Sequence, residues 1–114
     1  MSNLQTQYNN GIPKNGYYID EDGIEEWFLN GELHREDGPA VISPQPNGNK
    51  FWIQNGQFHR EDGPAVFENY NESKGYNQVW YLNDIEYTPE EMPMSLFLAY
   101  CKWRLKHEND SSKV

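Results

Sequence analysis

A chain of 114 residues with a formal net charge of −9 can hold one modest core and not two independent ones. Residues 1–93 carry 16 acids against five bases, which repels phosphate backbones and argues against direct DNA or RNA binding. The single cysteine, Cys101, excludes an internal disulfide and suits a reducing compartment, and no stretch approaches the ~20 apolar residues of a membrane span.

A single domain over residues 1–114 is therefore expected, inside the cell and off the membrane, with no signal-peptide character in its polar start. Its 17 aromatic residues supply much of the apolar area, since Leu, Ile and Val are sparse. Residues 1–10 and 108–114 are polar and expected to fray.

In chain order, Asn15-Gly16 followed by Tyr17-Tyr18-Ile19 reads as a worn copy of Asp37-Gly38-Pro39-Ala40-Val41. Asp20-Glu21-Asp22-Gly23 is a turn, too short for a calcium loop, and Glu26 to Asn30 a strand. A second strand pair runs from Pro39 to Ser43 and from Lys50 to Asn55. A third runs from Pro64 to Glu68 and from Gln78 to Asn83.

Three hairpins over residues 15–84 are implied, and one repeated octet organises them. His-Arg-Glu-Asp-Gly-Pro-Ala-Val occupies both 34–41 and 59–66, while Trp27 and Trp52, like Asn30-Gly31 and Asn55-Gly56, stand 25 residues apart. The distance from the Gly to the next Trp grows from 11 (Gly16 to Trp27) to 14 (Gly38 to Trp52) to 17 (Gly63 to Trp80). The links Gly31 to Asp37 and Gly56 to Asp62 are equal. Variable tips with fixed links are what a stacked array requires, because the links set the spacing of the units.

Strand alternation puts Trp27, Trp52 and Trp80 on one face with Leu29, Gln54 and Leu82, and Phe28, Ile53 and Tyr81 on the other with Phe51 and Val79. Both faces are apolar, so each needs a cover. Residues 88–107 offer one: Thr88-Pro89-Glu90-Glu91 carries a helix-start pattern, and the spacing predicts a turn over Thr88 to Met92 and a helix from Pro93 to about His107. Leu96, Ala99, Tyr100 and Trp103 form one apolar stripe, suited to the sheet. Met94, Leu98, Cys101 and Leu105 form another, expected to pair with its copy in a homodimer, with Cys101 as a buried thiol.

The order Trp52, Gly56, His59, Gly63 resembles the MORN repeat, with Arg60-Glu61-Asp62 lengthening the link before the second Gly. The longer unit W-x-x-N-G-x-x-H-R-E-D-G-P-A is similar to tandem repeats of tailed phages and large DNA viruses. This resemblance, over about residues 15–84, implies a viral origin and a repeat fold. With the helix read from residues 88–107, the expected class is α+β and mainly β. Three MORN-like hairpins would form a twisted antiparallel sheet, with one C-terminal helix. It carries over no catalytic residue.

As chemistry, the octet offers His34 with Asp37 as an oriented base, or His34, Glu36 and Asp37 as metal ligands. Duplication in adjacent repeats favours a structural role, and beyond the octets stands a single further histidine, His107. In that role Asp37 bonds turn N–H groups, and Gly38 takes a backbone conformation barred to other residues. Pro39 opens a strand, and Ala40 makes room for a Trp. Arg35 and Arg60 pair with an acid or stack on a Trp of the adjacent repeat, and His34 and His59 bond a backbone carbonyl. No enzyme, metal or cofactor is expected.

The function expected is binding: a small viral module that blocks a host protein, such as a defence factor, in the host cytoplasm. The alternative is sequestration of an anionic nucleotide in a groove of His34, Arg35, His59 and Arg60, with Trp27, Trp52 and Trp80 for the base. A third reading is an acidic mimic of nucleic acid.

Overall fold

The chain alternates short strands with tight turns until residue 87 and then turns helical. The computed structural model describes residues 8–9, 11–46, 48–71 and 75–111. The first strands are β1 (Tyr8–Asn9), β2 (Ile12–Pro13), β3 (Gly16–Ile19), β4 (Glu25–Leu29), β5 (Glu32–Leu33) and β6 (Val41–Ile42). Then come β7 (Lys50–Phe51), β8 (Ile53–Gln54), β9 (Gln57–Phe58), β10 (Val66–Asn71), β11 (Gly75–Leu82) and β12 (Ile85–Tyr87). A 3-10 turn, Pro89–Glu91, precedes helix α1 (Met94–Ser111).

The main sheet is antiparallel, in the order β12-β11-β10-β7-β6-β4-β3, with β5 pairing β4. Hairpins β3/β4, β6/β7 and β10/β11 lie side by side in it, so the α+β, mainly β class is what the chain adopts. The result is an elongated slab, 55 × 32 × 18 Å. Of the residues expected to fray, 1–10 and 108–114, Tyr8–Asn9 instead pair with β2 and 108–111 continue the helix, while 1–7, 10 and 112–114 lie outside the described residues.

The links contain more structure than the sequence analysis assigned. Asn30-Gly31, Asn55-Gly56 and Asn83-Asp84 are two-residue turns joining β4 to β5, β8 to β9 and β11 to β12. Both central residues lie in the left-handed region, with φ of 53° and 81° at Asn30-Gly31 and 51° and 74° at Asn55-Gly56. That is the backbone twist antiparallel neighbours require, and Asn-Gly supplies it at little cost. Asp84 stands where the other units have Gly, at φ 66°. Its carboxylate accepts the Phe58 N–H at 2.7 Å and its own N–H donates to the Phe58 carbonyl at 2.9 Å.

Ala40 and Ala65 are fully buried, and Pro64, Ile53, Val66, Trp80 and Leu96 complete the core. Backbone bonds tie each unit to the next through the alanines: Trp27 N–H to Ala40 O at 2.9 Å and Trp52 N–H to Ala65 O at 2.7 Å. Trp80 and Tyr81, adjacent on β11, face opposite sides. Tyr81 ends a run of rings with Phe58 at 5.1 Å and Phe51 at 6.2 Å from Phe58.

Trp80 faces α1, where Tyr100 and Trp103 meet it edge-on at 5.6 and 6.4 Å and Leu96 is 2% exposed. The stripe of Leu96, Tyr100 and Trp103 thus covers the Trp80 end of the Trp face. The Glu91 carboxylate reaches back to the Thr88 N–H at 3.3 Å, and α1 begins at Met94, ending at Ser111 rather than near His107. Met94, Leu98 and Leu105 of the other stripe are exposed, and Cys101 is half-buried rather than buried.

Candidate functional site

Each octet begins with a histidine that reaches forward. His34 Nδ1 accepts the Asn55 backbone N–H at 2.9 Å, and His59 Nδ1 accepts that of Asn83 at 3.1 Å. An accepting Nδ1 places the proton of the neutral ring on Nε2, which lies 3.1 Å from Glu36 Oε2 in the first octet and 3.2 Å from Glu61 Oε2 in the second. The sequence analysis expected a carbonyl partner, and the partner is an N–H instead. The reason is geometric: an Asn in the left-handed region turns its N–H away from its own hairpin, and a side-chain acceptor must meet it. In the N-terminal unit Asn15 does this work, its Oδ1 accepting the Asn30 N–H at 2.9 Å. Asn15 therefore stands in for a histidine, not for Asp37 as its neighbour Gly16 suggested.

The arginines cover the tryptophans. Arg35 Cζ lies 4.0 Å above the Trp27 ring and Arg60 Cζ 3.8 Å above Trp52. Each stacks on the Trp eight residues before it, within its own unit rather than on the adjacent one. Two bonds lock each guanidinium flat. Nε donates to Asp37 at 3.1 Å or Asp62 at 2.9 Å, and Nη1 donates to the Pro39 or Pro64 carbonyl at 3.1 Å.

The aspartates thus hold the arginines, where turn N–H groups were expected. Gly38 and Gly63 are also corrected, because neither has a left-handed φ. A Cβ on Gly38 would stand 2.9 Å from Arg35 Cζ, and one on Gly63 2.5 Å from Arg60 Cζ. Glycine is there so that the guanidinium can lie against the backbone. The third Trp has no arginine following it at that interval; α1 covers Trp80 instead, and Trp103 also lies 5.2 Å from Arg60.

With their donors turned inward, the octets present acids outward. Glu36, Asp37, Glu61 and Asp62 have side chains 78 to 88% exposed. They edge a groove of about 630 Å³ between the octets, floored by Trp52, His59 and Arg60. The seven residues expected to hold an anion are not brought together there: Trp27, His34 and Arg35 lie outside the lining, and Trp80 sits beneath the helix. Four carboxylates around one guanidinium give that groove an acidic field.

Elsewhere, Asp20 Oδ1 accepts the N–H groups of Asp22 and Ile24 at 2.9 and 3.0 Å, closing the expected turn. Burial, and then the charge of Asp20, push the Glu26 carboxyl above the usual carboxylate range. Among the described residues no three His, Cys, Asp or Glu side chains group as a metal site. No helix among them is long and apolar enough to cross a membrane. Set against family models, characterised proteins and solved structures, the chain finds no match in any of the three.

Proposed function

We propose that the chain is a protein-binding module that presents a rigid acidic ladder to a basic surface of its partner. One observation carries this reading. The octets present Glu36-Asp37 and Glu61-Asp62 outward from two equivalent bends, one ahead of β6 and one ahead of β10. All four side chains are 78 to 88% exposed along the edge of one groove. Histidines and arginines on the protein side hold these acids in register. Charges fixed before contact lose little entropy on binding and favour specificity and fast association. The resemblance to viral repeat proteins makes the partner a host protein, blocked in the host cytoplasm. A nucleic-acid-binding host protein is the special case in which the ladder mimics phosphates.

The test is affinity enrichment from host lysate with the wild type and with Glu36→Gln/Glu61→Gln, which leaves the Arg–Asp pairs intact. The expected partner is basic, is released as salt is raised, and is lost with the double variant. Equal recovery by both proteins would remove the ladder as the binding surface.

A further inference from the structure

A groove of about 540 Å³ opens between the second octet and α1, in the size class of ligand-binding clefts. Arg60 and Asp62 line it on the octet side, and Leu98, Lys102, Trp103 and Lys106 line it on the helix side. We propose that it docks an acidic peptide segment: an extended stretch of a partner protein with two carboxylates and an adjacent apolar side chain.

Charge complementarity carries the argument. Over residues 1–93 acids outnumber bases 16 to five. The groove reverses that sign: among the described residues its lining has three bases, Arg60, Lys102 and Lys106, against one acid, Asp62. Arg60 Nε donates to Asp62 at 2.9 Å, and those two charges compensate each other. Lys102 and Lys106 are exposed, and neither forms an ion pair with a described residue. Two positive charges thus stand uncompensated on an acidic protein, and an acidic segment is their complement. Of the four outward acids of the octets only Asp62 lines the groove, so Glu36, Asp37 and Glu61 stand outside it.

Spacing sets the class within the anions. Lys102 and Lys106 are one helical turn apart, about 6 Å along the axis of α1. Carboxylates two residues apart on an extended chain stand about 6.6 Å apart on one side of it. A Glu-x-Glu segment lying along the groove therefore reaches both lysines at once. The lining also offers apolar surface: Leu98 is 55% exposed, and Trp103 is half-buried with Arg60 Cζ 5.2 Å from its ring. An apolar side chain next to the carboxylates takes that surface out of water. A nucleic-acid strand brings a charge with every nucleotide and runs into the octet acids beyond Asp62, whereas a peptide confines its charge to two side chains. The inference rests on this groove alone and is independent of the acidic ladder.

The test titrates the full chain with the synthetic peptide acetyl-Gly-Glu-Leu-Glu-Leu-Gly-amide while the tryptophan indole N–H signals are followed by NMR. The peptide should move the Trp103 signal, and replacing both its Glu by Gln, or both its Leu by Ser, should weaken binding. Lys102→Gln/Lys106→Gln, at two exposed positions, should keep the wild-type melting temperature and bind the peptide about fivefold more weakly or worse. Glu36→Gln/Glu61→Gln should bind it as the wild type does, because neither residue lines the groove, so this inference and the acidic ladder can fail separately. The inference is overturned if the peptide leaves the Trp103 signal unmoved at millimolar concentration, or if the lysine variant binds as tightly as the wild type. It is overturned equally if a short oligothymidylate displaces the peptide at lower concentration, which would assign the groove to nucleic acid. A lysine variant that sediments as a monomer where the wild type is a dimer would assign it to a second copy of the chain.

Discussion

His59 Nδ1 receives the backbone N–H of Asn83, 24 residues ahead, as His34 receives that of Asn55, 21 ahead. Each octet thus begins with a clasp on the turn of the next unit. Removing the imidazole leaves a turn N–H to water and opens the space beneath it. His59→Ala is expected to destabilise by about 1 kcal/mol or more, read from urea unfolding. A variant as stable as the wild type would show that the turn holds its geometry without the clasp.

Gly63 should tolerate alanine worse than Gly38, because the added Cβ comes to 2.5 Å of Arg60 Cζ in one case and 2.9 Å of Arg35 Cζ in the other. Lifting the guanidinium off Trp52 is an overpacking cost of about 1–3 kcal/mol. Since the obstacle is the arginine and not the backbone, Gly63→Ala should cost much less in an Arg60→Ala background. Additive losses in that double-mutant cycle would contradict the steric account.

Glu26 gives a pH dependence whose sign follows from its raised pKa. The folded chain takes up this proton at a higher pH than the unfolded chain does, so above both values the charged carboxylate opposes folding. That opposition fades as the pH falls through the folded-state value toward the ordinary 4.5. Glu26→Gln should therefore raise the melting temperature at pH 7, and the gain should narrow near pH 4. A gain that is constant with pH would assign the effect to something other than ionisation.

Self-association remains a proposal for the outer stripe of α1, where Met94, Leu98 and Leu105 are 71, 55 and 64% exposed. Pairing that stripe with its copy closes the exposed apolar surface about a two-fold axis. Sedimentation at micromolar concentration should give a dimer that Leu98→Glu converts to a folded monomer. A wild-type species of 13.4 kDa, unchanged by the substitution, would remove the dimer.

What the sequence by itself determined is the periodic part. Identical octets, Trp at a fixed offset and equal links dictate adjacent hairpins, because a repeated local pattern repeats its local bonds. The apolar run from Leu96 to Trp103 likewise dictates a helix laid on the Trp face, since that surface has to leave water. The Asn-Gly turns were legible too, being the strongest short hairpin signal, but equal link lengths made them read as spacers.

Only the tertiary structure decided which partner each polar residue takes. His34 meets Asn55, Arg35 folds back on Trp27, and Gly38 yields room for that arginine. Residue types allow an imidazole or a guanidinium several partners at comparable energy, and distance in three dimensions selects among them. The same selection turned the octet arginines inward and the acids outward. It also gathered Arg60, Asp62, Lys102 and Trp103 into a groove that no spacing along the chain announces.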